Sequence, residues 1–192
     1  MRRVPVWVVW ALGLVPLAVL GWDLAQGGLG PDPVAAIEHR LGRTAVYLLL
    51  ATLSVTPILR FCRINLVRFR RALGLLTFLY AALHLAAWVV LDMGLMWSEA
   101  LRDVVKRPYL TIGMAAWVIL AILAATSSNR AIRALGRRWK TLHRLVYLTA
   151  PLAILHWLMA YKIWPSWALW MGLALAILLA LRLPGLRKLR VR

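Results

Sequence analysis

Four histidines, His39, His84, His143 and His156, and one cysteine, Cys62, are the residues of this 192-residue chain best suited to redox or metal chemistry. His84 lies deep inside an apolar run. The stretch Arg137–Trp157, RRWKTLHRLVYLTAPLAILHW, opens with a basic cluster and continues as an apolar helix carrying His143 and His156, with Pro151 between them. An imidazole in hydrocarbon is costly and marks a functional position by default. Neutral imidazole is also the commonest protein ligand for metals. A single cysteine allows no intramolecular disulfide and no CxxC site, so any redox chemistry must come from a bound cofactor.

The elements that carry these residues are membrane-length helices. Hydrophobic residues make up 63% of the chain and mean hydropathy is +0.77, against about 45–50% apolar for a soluble domain. Six apolar segments stand out: Val4–Trp22, Thr44–Leu59, Ala72–Leu91, Tyr109–Thr126, Leu142–Tyr161 and Trp167–Leu183. Most are long enough, at about 1.5 Å per residue, to span a hydrocarbon core of about 30 Å. The second is short unless Glu38–Arg43 extends it. The runs lack the apolar/polar alternation of membrane strands. The first exceeds a signal-peptide core and no A-x-A site follows it, so it is expected to be retained. The expected fold is an all-α integral membrane six-helix bundle, one domain over residues 1–192.

Charge sets the expected orientation. Of 24 Lys and Arg, only Arg40, Arg43, Arg102, Lys106, Arg107 and Lys162 fall on one side, together with all six acids; the other 18 cations share the opposite side with no acid. The positive-inside rule then puts both termini in the cytoplasm. A net charge of +18 could suggest nucleic acid, but these cations punctuate membrane spans and meet lipid headgroups instead. Trp22, Trp97, Trp164 and Trp167 at the outer boundary and Trp139 at the inner one form the expected aromatic belts.

His84 lies 13 residues after Arg71, and His156 lies 13 after His143. Their helices run parallel, so both imidazoles reach a similar depth, roughly 20 Å from the inner boundary. Matched depth on neighbouring helices is what bis-histidine ligation of one haem requires, and two axial ligands close the iron to substrate, favouring electron transfer. The competing reading is that each histidine hydrogen-bonds to a neighbouring helix. His143, near the inner boundary, could ligate a second haem. However, 13 residues turn it about 140° from His156 on an ideal helix, and Arg71, at the matching inner position, cannot ligate iron. His39, with Arg40 and Arg43, is either interfacial or a contact to haem propionates. Arg68, Arg70 and Arg71 could bind a flavin phosphate or an acidic donor, or simply report topology. Walker, GxGxxG and metalloprotease motifs are absent.

Four blocks together resemble the MsrQ (YedZ) family over about Gly21–Leu183. They are DPVAAIEHRLGRTAVYLLLATLSVTPILR, RFRRALGLLTFLYAALHLAAWVVLD, KRPYLTIGMAAWVILAILAATSS and LGRRWKTLHRLVYLTAPLAILHWL. The resemblance implies the fold of ferric reductase and NADPH oxidase membrane domains, carrying b-type haem in the bacterial inner membrane. It implies that His84, His143 and His156 are the haem-associated histidines and that Arg70 and Arg71 are the family's paired arginines. It also implies FMN, electrons from a cytoplasmic flavin reductase or from quinone, and a periplasmic molybdenum-containing methionine sulfoxide reductase as acceptor. The oxidases carry two histidines on each of two helices, and Arg71 stands near the fourth position, which leaves one haem or two open. Two rivals are a stand-alone quinone or ferric reductase of the same fold, and a small transporter or assembly factor with a histidine proton relay. The absence of a mid-membrane acid weighs against the transporter.

Overall fold

The computed structural model describes residues 4–161 and 163–182. Arg2, Arg3, Lys162, Leu183, Arg187, Lys188, Arg190 and Arg192, which enter the expected helix ends and charge asymmetry, lie outside the described residues. Among the described residues there are α-helices and short 3-10 and π turns, with no strand. The helices are α1 (Val6–Ala25), α2 (Pro33–Phe61), α3 (Arg70–Ala87), α4 (Trp97–Lys106), α5 (Pro108–Ala125), α6 (Asn129–Leu135), α7 (Arg137–Leu142), α8 (Val146–Met159) and α9 (Ser166–Ala180). A 3-10 turn at Val67–Phe69 leads into α3, a π turn at Trp88–Asp92 prolongs it, and a 3-10 turn at His143–Leu145 joins α7 to α8.

Among the described residues five stretches are long and apolar enough to cross a membrane: Val6–Ala25, Pro33–Phe61, Val67–Asp92, Pro108–Ala125 and Arg137–Met159. The apolar α9, at 15 residues, is shorter. Helix α2 starts at Pro33 rather than at the expected Thr44, for a local reason. The Asp32 carboxylate accepts the Ala35 N–H at 2.9 Å, and Pro33 takes a first-turn position, where its missing N–H costs nothing. Glu38, His39, Arg40 and Arg43 therefore lie on a helix rather than in a loop. The expected loop after Asp92 contains α4, and the basic connection after Ala125 contains α6, capped by the Ser128 hydroxyl on the Ala131 N–H at 3.1 Å.

Helix α2 packs along α3, and α5 along α8. One buried cluster joins Leu49, Leu50 and Leu53 of α2 to Ile154 and Trp157 of α8 and Leu175 of α9. A second joins Leu20 of α1 and Leu41 of α2 to Tyr80 of α3. Helix α1 is mostly exposed and packs on α3 through Tyr80 and Leu76. The Tyr80 hydroxyl accepts the Leu17 N–H at 3.1 Å and donates to the Gly13 carbonyl at 2.7 Å, inserting into the helical ladder of α1. At Gly13 the Leu76 side chain comes so close that a Cβ would lie 2.3 Å from it. Small residues at crossings are the usual way for membrane helices to approach.

Candidate functional site

Helices α2, α3, α5 and α8 enclose a cavity of about 300 Å³ that runs from the mixed-charge end of the bundle inward to Thr77 and Leu120. His84 in the last turn of α3 and His156 in the last turn of α8 both line it, their ring centroids 6.3 Å apart and their planes 67° to one another. The matched depth inferred from spacing is thus realised as direct proximity.

Each imidazole is oriented by the helix beside it. His84 Nδ1 lies 3.0 Å from the Glu38 carbonyl of α2, and His156 Nδ1 lies 2.8 Å from the Tyr109 carbonyl of α5. A carbonyl can only accept, so the network assigns the proton to Nδ1 in both rings and leaves each Nε2 with its lone pair. An acceptor behind Nδ1 is the usual support for a metal-ligating histidine. Four residues on from each carbonyl stands a glycine. A Cβ at Gly42 would lie 3.3 Å from His84 Nδ1, and one at Gly113 would lie 2.6 Å from His156 Nδ1. Side chains at these positions would occupy the space the rings use.

His84 and His156 are placed so that both could hold one metal-bearing group between them. With a metal–nitrogen bond of about 2.0–2.1 Å and a ring nitrogen about 1.1–1.2 Å from its centroid, the two centroids should lie about 6.2–6.6 Å apart. The observed 6.3 Å falls in that range. Two buried polar atoms on the cavity wall, Glu38 Oε1 and Trp117 Nε1, have no partner in the protein, as expected where a bound group supplies one. Among the described residues no cluster of three or more His, Cys, Asp or Glu could hold a bare ion. Two neutral imidazoles would suit the iron of a haem, which brings further ligands of its own.

Other residues singled out in the sequence fall at several places. His39 lines the cavity and stacks on Tyr161 at 5.6 Å. Arg43 does not line it; its guanidinium lies over Trp167, 5.4 Å from the ring centroid. Arg40 is paired with Asp23 of α1. The cation that does line the cavity is Arg107, paired with Asp103 at 3.1 Å and 3.4 Å from the Tyr109 hydroxyl. That hydroxyl, and then Asp103, push the Arg107 pKa further up. Sequence reasoning passed over Arg107, Gly42 and Gly113. The first resembled a topology charge; the glycines had a legible signal in EHRLG and YLTIG, a small residue inside an apolar helix.

The basic end is different. His143 lies in the 3-10 turn with Nε2 3.2 Å from the Thr126 hydroxyl, its ring stacked on Trp139 at 4.0 Å. Trp139 in turn donates its indole N–H to the Thr126 carbonyl at 3.0 Å. The other three histidines all line the cavity towards the opposite end. Arg71 donates to Asn129 Oδ1 at 2.5 Å and Arg70 to the Thr56 hydroxyl at 2.6 Å, both side chains being exposed.

Comparison with known proteins places the chain in a family. The family model described as the ferric reductase like transmembrane component matches residues 41–154, which contain His84 and His143 and end two residues before His156. The protein-methionine-sulfoxide reductase heme-binding subunit MsrQ of Brucella anthropi is 45% identical over 175 residues, 91% of this chain and 80% of that protein. The MsrQ protein of Brucella ovis is 47% identical over 160 residues, 83% of this chain and 73% of its own length. With its apolar spans and these relatives, the chain is a multi-pass membrane protein that belongs to the MsrQ family of ferric reductase-like transmembrane components.

Proposed function

We propose that this chain is a b-type haem electron-transfer subunit of a bacterial inner-membrane system, carrying electrons across the bilayer to a periplasmic molybdenum-containing methionine sulfoxide reductase. The observation that supports it best is the His84–His156 pair at 6.3 Å, each ring with Nδ1 held by a backbone carbonyl. Haem held by these two imidazoles would supply reversible one-electron transfer. The carbonyls of Glu38 and Tyr109 hold the ring tautomers so that both Nε2 atoms can ligate. Apolar walls such as Leu49, Leu85 and Leu120 exclude water and lower the local dielectric. His39 and Arg107, at the mixed-charge end, are the groups at hand for haem propionates.

Electrons would enter at the basic end, which the positive-inside rule makes cytoplasmic. Arg68, Arg70 and Arg71 there are our candidates for contact with FMN phosphate or with the donor, either a flavin reductase or a quinone. His143 offers one imidazole at that end, so a second haem would need a ligand other than histidine. The relatives are named as haem-binding subunits of methionine sulfoxide reductase, which supports the acceptor as well as the cofactor.

The test is an absorption spectrum of the purified protein with variants at both rings. We expect a Soret band and resolved α and β bands in the reduced wild type, and loss of most haem from His84→Ala and from His156→Ala. A wild-type protein with no Soret band, or both variants keeping full haem, would overturn the proposal. Co-purification of a molybdopterin-containing periplasmic reductase tests the partner separately.

A further inference from the structure

Helix α4 bridges the ends of α3 and α5, and its surface divides three ways. At about 100° per residue, Trp97, Leu101 and Val105 fall within an arc of about 80°, while Ser98, Glu99, Arg102, Asp103 and Lys106 occupy an arc of about 140° on the opposite side. Between them, Ala100 is buried and Val104 lines the cavity wall. The helix therefore has a protein side, a charged side and an apolar side, and the described residues leave the apolar side largely exposed. Trp97 is 69% exposed, Leu101 72% and Val105 79%.

We propose that the Trp97–Leu101–Val105 stripe is seated in lipid, making α4 an interfacial helix that braces the cavity mouth. Three observations select lipid over a protein occupant. In sequence the stripe follows further exposed apolar residues, Val90 and Leu91 at the end of the membrane-length stretch Val67–Asp92 and then Leu95 and Met96. The charges opposite are mixed in sign, with Glu99 near Arg102 and Asp103 paired with Arg107, so the helix presents no strong field to recruit a charged partner. Tryptophan at the start of such a helix suits the headgroup boundary, where its ring is part apolar and part polar. The seat bears on the site because α4 is tied to the first turn of α5. The Thr111 hydroxyl donates to the Val104 carbonyl at 2.5 Å, and the Arg107 N–H donates to the Asp103 carbonyl at 2.9 Å. Tyr109, whose carbonyl orients His156, lies between those ties.

The experiment uses the full chain, with its bound cofactor, in phosphatidylethanolamine–phosphatidylglycerol vesicles. Cys62, the only cysteine, is replaced (Cys62→Ser), and single cysteines at Leu101, Val105 and Arg102 carry a nitroxide label. Collision with oxygen, which partitions into lipid, is compared with collision with an aqueous nickel chelate. We expect the oxygen-to-nickel ratio at Leu101→Cys and Val105→Cys to exceed that at Arg102→Cys by about fivefold or more. Equal ratios at the three sites would overturn the proposal. So would strong nickel collision at Leu101→Cys and Val105→Cys, which would put the stripe in water, as a docking face for a soluble protein. The visible spectrum of each labelled protein verifies its fold, and agreement between two lipid-side positions guards against one label disturbing the helix.

Discussion

Replacing Gly113 by alanine tests whether the helix beside His156 sets the position of that ring. The new methyl carbon would lie 2.6 Å from Nδ1 and 2.8 Å from Cε1, where ordinary contact begins at 3.4 Å. Relieving the overlap takes a displacement of about 0.8 Å, which stretches the 2.8 Å bond to the Tyr109 carbonyl to about 3.6 Å, no longer a hydrogen bond. Losing that bond and leaving the Nδ1–H unpaired costs about 1–3 kcal/mol, or about 5- to 150-fold in cofactor retention. The fold itself should survive, because alanine favours a helix over glycine by about 1 kcal/mol. Gly42→Ala is the graded comparison. Its Cβ would lie 3.3 Å from His84 Nδ1, so a shift of a few tenths of an ångström suffices. Gly74→Ala is the control, since nothing lies within 4 Å of its Cβ. The assay is haem content per protein during dialysis against apomyoglobin, with low-temperature EPR of the oxidised form reporting ring orientation. The expected order of loss is Gly113→Ala, then Gly42→Ala, then Gly74→Ala at wild-type level. A Gly113→Ala protein with unchanged retention and EPR signal would refute the reasoning, as would equal losses in all three.

Two further predictions concern the rest of the bundle. Gly13→Val should loosen α1 from α3, because even a Cβ there would lie 2.3 Å from Leu76 Cδ1; overpacking of this kind costs about 1–3 kcal/mol. The expected readout is faster protease cleavage in the α1–α2 connection with the haem spectrum intact, and unchanged cleavage would count against the docking contact. His143→Ala should leave the His84–His156 spectrum in place while lowering thermal stability by about 1 kcal/mol through loss of the Thr126 contact; complete loss of haem would show that the two ends of the bundle are not independent.

The location of the paired imidazoles was legible because helical rise is constant: two histidines 13 residues into parallel spans must reach a common level. Membrane spans were legible from hydropathy, since unpaired backbone groups cannot be left in hydrocarbon. Helix starts were harder. Asp32 and Pro33 form an N-terminal cap, but polar residues through Arg43 drew the expected start of the second span to Thr44. Side-chain direction was harder still. Arg43 and Arg107 both flank apolar segments at the same end, and only packing against Trp167 turns one of them away from the cavity. The supporting carbonyls of Glu38 and Tyr109 carry no residue-type signature at all, because any residue supplies a carbonyl.

The site is assembled from two like halves. Helices α2 and α3 bring together the Glu38 carbonyl, Gly42 and His84; helices α5 and α8 bring together the Tyr109 carbonyl, Gly113 and His156. In each half a histidine near the end of one helix donates to a carbonyl near the start of the other, and the glycine four residues on leaves space for the ring. Thirteen residues towards the basic end is a level where Arg71 stands in the first turn of α3 and His143 in the 3-10 turn before α8. There the likeness ends. Arg71 is held by Asn129 and His143 by Thr126, both in the connection that follows α5. An arginine keeps its proton and presents only donors, so this level cannot repeat the two-imidazole arrangement of the first. Among the described residues a facing pair of imidazoles thus stands only towards the mixed-charge end. At the basic end, the connection after α5 bonds each residue separately and ties the ends of α3, α5 and α8 together.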